Sequence, residues 1–370
     1  MDHKTLGVFF TKGVSVERWE KMDLLEREKL LYEEFIKKNI FDSIYWFTYG
    51  SDDKKYEKYL QNGIIIIPKP VFFNIKYGSL LYSFLLPLLQ KRYIKECTIL
   101  KTNQMPGSWS AVISKIIYKS KLLIRTGYTM TLFLKNKKFL RFIYRLVEKL
   151  AYKFADHSIV TSKHDKQYII SNYNIKSDVS LIHNFVDMNL FRHLGIEKDK
   201  DIVFVGRLTD QKNLFSLIEA MENLDYSLDI YGSGVLGVKL SDFAKSKNVK
   251  INFIRNIPNS KLPYILNHYK MYILPSFYEG MPKTLIEAMA CGMACLGTNV
   301  NGTNELIKNK VNGLLINTDT LSIRNGIIEL MGNRKLREDI GKQARISVEN
   351  SFNLESIVKK ENMIYKQLMH

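Results

Sequence analysis

Short apolar runs, each followed by a stretch patterned for a helix, recur along the whole chain. This alternation restricts the fold more than any other feature. Thr5 to Phe10, Ser43 to Thr48, Gly63 to Pro68, Cys97 to Lys101, Lys121 to Thr126 and Asp156 to Thr161 all have the length of a strand. Val179 to Ile182 follows them. Between them, Arg18 to Lys38 places Leu24, Leu25, Leu31 and Phe35 on one side of a predicted helix. Tyr77 to Lys95 reads as a helix kinked at Pro87, and Lys163 to Tyr173 as another. Strands this apolar are buried on both faces, which requires a parallel sheet with helices on each side.

The pattern restarts at Asp201 to Val205 after a charged stretch, Asp187 to Lys200, that has no periodicity and reads as a linker. Strands are expected at Leu228 to Tyr231, Val249 to Ile254, Met271 to Leu274 and near Ala294 to Gly297. Helices are expected at Leu214 to Met221 and Asn259 to Asn267, from Asn301-Gly302-Thr303-Asn304-Glu305, and through the tail from Arg334, the last over Leu354 to Leu368. With 370 residues, two domains are expected, each large enough for its own core. We place them at 1–190 and 191–350, with a terminal helix over 351–370.

Several function classes fall away. No apolar run reaches the roughly 18 residues of a membrane helix; Leu80 to Leu89 is short and broken by Pro87. After Met1-Asp2-His3-Lys4, the run Leu6 to Phe10 is too short for a signal-peptide core, so a cytoplasmic location is expected. Cys97 stands alone and Cys291/Cys295 are spaced CxxxC, which fits small buried apolar residues in a reducing compartment. The seven His form no ligand-spaced pair, and no metal or cofactor is expected. Gly232-Ser233-Gly234-Val235-Leu236-Gly237 has the dinucleotide form, but the next strand ends Phe253-Ile254-Arg255-Asn256 without the required acid. Asp199-Lys200-Asp201 precedes a strand and reads as solvated linker.

The net charge of +18 is uneven: between Lys91 and Arg192, 19 Lys and Arg stand against six acids. Such a surface suits nucleic acid or an anionic membrane; no zinc-finger, RRM or KH signature is present, so no nucleic acid is expected. Lys135 to Phe154 lines Phe139, Ile143, Leu146, Val147, Leu150 and Phe154 along one face and crowds Lys and Arg elsewhere. It reads either as a core-packing helix with a solvated basic side or as a helix touching the inner membrane surface.

Chemistry concentrates in Leu274 to Gly292. It reads as strand, turn at Glu279-Gly280-Met281-Pro282, and a helix with Pro282 suited to its first position. A helix start binds anions, and Glu279 and Glu287 flank it. Arg207 and Lys212 follow the Asp201–Val205 strand, and ligands in open parallel sheets bind beyond the carboxyl ends of strands. Two cations, a helix start and two carboxylates suit a nucleotide sugar, whose diphosphate gathers charge as the sugar–oxygen bond breaks.

On these residues the chain resembles the family 4 glycosyltransferases of the GT-B fold, bacterial surface-glycan type. Glu279 and Glu287 reproduce the family's E-x7-E pattern. Val205-Gly206-Arg207-Leu208 with Lys212-Asn213 resembles its diphosphate motif. Tyr231-Gly232-Ser233-Gly234 and Asn301–Glu305 fall in the expected order, and Asn184-Phe185-Val186-Asp187 resembles the segment closing the first domain. The resemblance implies an α/β architecture: two Rossmann-like, doubly wound parallel-sheet domains facing across a cleft, with the last helix crossing back to the first. It further implies a retaining, metal-independent hexosyl transfer from a UDP- or GDP-sugar to a glycan or lipid-linked glycan acceptor. Arg207 and Lys212 would bind the diphosphate, and Glu287 the ribose. Glu279 would hold the donor sugar, with Gly206, Gly280, Met281, Pro282, Lys283 and Thr284 around the donor. Ile254 and Arg255 form the base loop, and Lys12, Gly13, Arg125 and Tyr128 the acceptor side. Arg255 stands where many relatives have Gly, and Gly127-Tyr128 where many have a His, so neither the base nor that His contact transfers. A nucleotide-sugar epimerase and a non-catalytic basic binding module are the alternatives.

Overall fold

The computed structural model describes residues 3–134, 137–255 and 257–370. Met1, Asp2, Lys135 and Asn256, named above, lie outside them. The chain divides into two units, Met1–His183 with Ile357–His370, and Asn184–Ser356. The second unit begins at Asn184, where position 191 is expected from the sequence.

The first unit holds seven strands: β1 (Thr5–Phe9), β2 (Ser43–Phe47), β3 (Ile64–Ile67), β4 (Ile99–Thr102), β5 (Lys121–Thr126), β6 (His157–Val160) and β7 (Asp178–Leu181). They pair in parallel in the order β3-β2-β1-β4-β5-β6-β7. The second holds β8 (Lys200–Val205), β9 (Leu228–Tyr231), β10 (Ile251–Ile254), β11 (Tyr269–Leu274), β12 (Ala294–Thr298) and β13 (Leu314–Ile316), parallel in the order β10-β9-β8-β11-β12-β13. Both sheets are doubly wound. Residues on either side of the central strands, such as Ile202, Val203 and Phe204, are all fully buried, as a sheet covered on both faces requires.

Some expected elements differ. Arg18–Lys38 is two helices, Val16–Lys21 and Leu25–Lys37. Asp23 turns left-handed (φ 51°) between them, and the first helix buries Trp19 against Phe10. The single helix expected over Tyr77 to Lys95 is two, Gly78–Leu89 with Pro87 inside it and Lys91–Glu96, meeting at Gln90. Proline at 87 frees the Ser83 carbonyl, which accepts from the Ser110 hydroxyl instead. No helix starts at Asn301–Glu305; those residues form consecutive turns. Cys97, Cys291 and Cys295 are buried free thiols. Among the described residues no helix is long and apolar enough to cross a membrane.

The last helix, Leu354–Met369, buries Ile357, Val358, Ile364 and Leu368, and with them a charge. Glu361 accepts from Lys101 Nζ of β4 at 2.5 Å and from Tyr365 OH at 2.6 Å. Arg125 Nε of β5 lies 3.7 Å from its other oxygen. Lys101 and Glu361 are both inaccessible to solvent. Burial pulls the Lys101 ammonium down to about 8. Burial alone would raise the Glu361 carboxyl, but Lys101 and Arg125 hold it below its ordinary value.

Glu361→Gln strands the Lys101 charge, so we expect a loss of about 3–5 kcal/mol in urea denaturation near neutral pH. A depressed carboxyl contributes above its unfolded value, 4.5, and the contribution is lost as pH falls through the folded value. The gap between wild type and Glu361→Gln should therefore shrink below that pH.

Candidate functional site

In the second sheet the strand order reverses between β8 and β11, so the loops after these strands diverge and leave a crevice at their carboxyl ends. Arg207, Lys212, Glu279 and the start of helix Lys283–Ala290 all come from these two loops.

The loops are tied together. Phe277 N–H donates to Gln211 O at 2.9 Å, and Asn213 Nδ2 donates to Pro275 O at 3.1 Å and Thr318 O at 2.8 Å. Asn213 holds a left-handed backbone (φ 52°) that Asn tolerates well. Around them, loops meet at glycines. A Cβ on Gly232 would lie 1.9 Å from Gly206 O, and one on Gly234 2.3 Å from Leu208 O. Gly302, at φ +83°, would place a Cβ 2.1 Å from Gly280 O. The Gly232-Ser233-Gly234 and Asn301-Gly302 motifs thus press against the loops carrying Arg207 and Glu279. No dinucleotide is needed to account for them.

At the centre Lys212 Nζ donates to Glu279 Oε1 at 2.5 Å, with both side chains about nine-tenths buried. Ser276 Oγ donates to the same oxygen at 2.6 Å, and Gln211 Nε2 to the other at 3.4 Å. Glu279 is therefore a buried, neutralised carboxylate rather than a lone one. Arg207 is exposed, and among the described residues its side chain forms no ion pair or hydrogen bond. Gly206 is half-buried beside Lys212.

Pro282 caps the helix (φ −72°, ψ 102°) instead of opening it, and Lys283 is the first helical residue. The proline's extended ψ ends the turn, so Gly280, Met281 and Pro282 lie buried while Lys283 and Thr284 stay partly open at the dipole's positive end. Tyr272 OH sits 2.8 Å from Thr284 Oγ1. Asn184 Nδ2 donates to Met281 O at 3.4 Å, which puts the Asn184–Asp187 segment to structural use inside the second unit. Glu287, one turn into the helix and buried, accepts from Asn259 Nδ2 at 3.3 Å. Asn259 lies shortly beyond the residues expected to form the base loop, Ile254, half-buried, and Arg255, exposed.

Gln211, Ser276 and Asn259 went unmarked in the sequence; common polar residues carry no spacing signal, and only the fold brings them to the glutamates. A cavity of about 840 Å³ elsewhere in this unit, lined by Lys198, Lys270, Arg337 and Arg345, excludes all of these groups. It opens near Gly292, past the helix's negative end, where the dipole disfavours anions. Arg337 and Arg345 there already donate to backbone carbonyls.

The expected acceptor-side residues lie in the first unit. Its strand order reverses between β1 and β4. Lys12 follows β1, donates its N–H to Pro106 O at 2.9 Å in the loop after β4, and rests its Nζ 5.9 Å over Trp109. Gly13 is exposed at φ +78°. Tyr128 packs at a tilt against Phe133, ring centroids 4.8 Å apart. Arg125, at the end of β5, places its Nε 3.7 Å from Glu361 of the last helix.

Two doubly wound sheets, one bearing cations, a helix start and paired carboxylates at its switch point, define the GT-B class of sugar-transferring enzymes. Comparison with known proteins agrees. The family model for Glycosyl transferases group 1 matches residues 187–347, and that for Glycosyltransferase Family 4 matches residues 41–190. A glycosyltransferase of Methanocaldococcus jannaschii, MJ1069, is 25% identical over 82% of this chain and 81% of its own. The Escherichia coli UDP-Gal:alpha-D-GlcNAc-diphosphoundecaprenol alpha-1,3-galactosyltransferase is 28% identical over 62% of this chain, which spans 65% of that protein. The sucrose-phosphate synthase of Thermosynechococcus elongatus superposes with a TM-score of 0.79 at 18% identity, covering 99% of both chains. The chain belongs to the family 4 glycosyltransferases of the GT-B fold.

Gly302→Ala should destabilise the protein by about 1–3 kcal/mol in urea denaturation, because the new methyl meets the Gly280 carbonyl. Gly332→Ala, where nothing lies within 4 Å, should stay within about 0.5 kcal/mol of wild type.

Proposed function

We propose that this glycosyltransferase moves a hexose from a UDP- or GDP-sugar to a glycan precursor carried on a lipid diphosphate, with retention of anomeric configuration and without a metal ion. The observation that carries the reading is the convergence of exposed Arg207, the Lys212–Glu279 pair and the Lys283 helix start at one switch point. Arg207 and Lys212 meet the diphosphate, and an entering phosphate competes with Glu279 for the Lys212 ammonium. Glu287, held by Asn259, accepts from the ribose hydroxyls. The Glu279 carboxylate, fixed by Lys212 and Ser276, faces the sugar together with the Gly280–Lys283 backbone.

In the reaction the bond between the sugar's anomeric carbon and the diphosphate oxygen breaks, and the electron pair leaves with the diphosphate. The acceptor oxygen forms its bond on the same face, and its proton passes to the departing phosphate. Both Glu279 oxygens are already engaged by Lys212, Ser276 and Gln211, and no covalent intermediate is invoked. Preorganised cations at such a site are worth about 2.7–4 kcal/mol each in the transition state. The Escherichia coli relative's name supports a UDP-sugar donor and an acceptor on diphosphoundecaprenol. Lys12, Gly13 and Tyr128 are assigned to the acceptor.

Arg207→Ala should lower turnover about 10²–10³-fold, read by transfer assay with folding checked by melting; near wild-type turnover would sink the assignment. UDP or GDP should raise the melting temperature in proportion to the logarithm of its concentration. Activity should survive EDTA. NMR of the product should show the donor's anomeric configuration, and no altered sugar should form without acceptor.

A further inference from the structure

The cavity of about 840 Å³ in the second unit takes no part in the donor site. It lies at the amino ends of the strands, reached by Lys198 ahead of β8, Lys270 at the start of β11 and Gly292 ahead of β12. The donor crevice lies at the carboxyl ends. Helix Arg334–Ser351 forms one wall, where Arg334, Glu338, Lys342, Arg345 and Glu349 share a face at helical spacing. Gly341 lets this helix come close: a Cβ there would lie 2.3 Å from Gly292 O, so the wall is seated backbone to backbone.

Most charges in this cavity have a protein partner. Arg334 Nε pairs with Glu338 at 2.7 Å, Arg345 with Glu349 at 2.8 Å, and Lys270 Nζ with Asp201 at 2.8 Å. The carbonyl ends of two helices, which disfavour an anion, are met as well. Arg345 donates to Ala290 O at 2.7 Å, at the end of helix Lys283–Ala290. Arg337 donates to Leu330 O at 2.6 Å, in the last turn of helix Thr320–Gly332.

A surplus of cations remains. Among the described residues Lys198 and Lys342 form no ion pair or hydrogen bond, and Glu197, which is exposed, is the one unpaired acid in the lining. Lys198 is half-buried, and burial pulls its ammonium below its ordinary value. Burial pushes the neighbouring Cys291 and Cys295 thiols up, Cys291 to about 12, so neither supplies a counter-charge. The His193 imidazole is held down by desolvation and by the Lys198 and Arg345 charges, so the surplus field reaches it. A half-buried ammonium without a counter-ion costs free energy that an anionic ligand would return.

Size and lining narrow the ligand. Small-molecule sites span about 300–1,000 Å³, and an inorganic ion would occupy a small part of this one. Ile196 and Ile346 add apolar surface beside the cations. We propose that this cavity is a second ligand site of the enzyme, taking a small organic phosphate ester. Its phosphate meets Lys198 and Lys342, and its carbon body lies against Ile196 and Ile346. This inference stands apart from the donor-site reading, and neither depends on the other.

The test is calorimetric titration of the full chain with glycerol 3-phosphate, ribose 5-phosphate and glucose 6-phosphate, and with inorganic phosphate as control. At least one ester should bind more tightly than inorganic phosphate, and its binding should weaken as salt rises. Lys198→Met/Lys342→Met keeps the aliphatic stems and removes the charges, and should weaken that binding about tenfold or more. Arg207→Ala, at the donor crevice, should leave it unchanged. Without ligand, Lys198→Met should melt no lower than wild type, because it removes an uncompensated charge. It should also lose much of the rise in melting temperature that the ester gives wild type. The proposal is overturned if no ester binds, if inorganic phosphate binds as tightly, or if the double Met variant keeps wild-type affinity. Loss of binding in Arg207→Ala overturns it by placing the ester at the donor crevice. A lower melting temperature of ligand-free Lys198→Met does so by showing that the ammonium has a partner within the protein.

Discussion

A parallel sheet covered by helices on both faces has only its strand ends available for chemistry. In the second unit this constraint gathers Arg207, Lys212, Glu279 and the Lys283 helix start at the carboxyl ends of β8 and β11, where the strand order reverses. The loops there must both diverge and stay in register. Glycines let backbone approach backbone, as at Gly232 against Gly206 and Gly302 against Gly280, and Asn213 bonds across to Pro275 and Thr318. The Lys212–Glu279 pair is buried within this frame, so its geometry is held by the fold rather than by solvent.

The first unit shares the winding but handles charge differently. Its buried ions, Lys101 and Glu361, do not face a site; they pin the last helix to the sheet. Arg125 lies beside that cluster, its Nε 3.7 Å from Glu361. Such a pair contributes specificity more than net stability, since burial of both charges costs nearly what their attraction returns.

Much of this architecture was legible because the signals are local. Apolar runs such as Ile64–Ile67 and Met271–Leu274 have one reading as strands. The E-x7-E spacing of Glu279 and Glu287 sets the two carboxylates on one loop and one helix. Misreadings arose where tertiary contact overrides local pattern. The helix expected to run to Lys95 ends at Leu89, with Pro87 inside it and Ser110 satisfying the carbonyl that Pro87 frees. Asn301–Glu305 forms turns because Gly302 is pressed against Gly280. The apolar stripe of Lys138–Phe154 was visible, but its direction was not, because periodicity cannot tell an inward face from an outward one.

The sequence by itself determined two parallel doubly wound domains, the positions of most elements and the placement of Arg207, Lys212 and Glu279 in loops that follow strands, since strand propensity, helix period and loop chemistry act over a few residues. Only the tertiary structure decided which charges meet. Lys212 finds Glu279 across 67 positions, and Lys101 finds Glu361 across 260. Asn259 reaches Glu287 only because the chain after β10 returns to the helix after β11. Long-range pairing depends on the sheet order, and that order is set by the burial of whole faces, which no short stretch of sequence encodes.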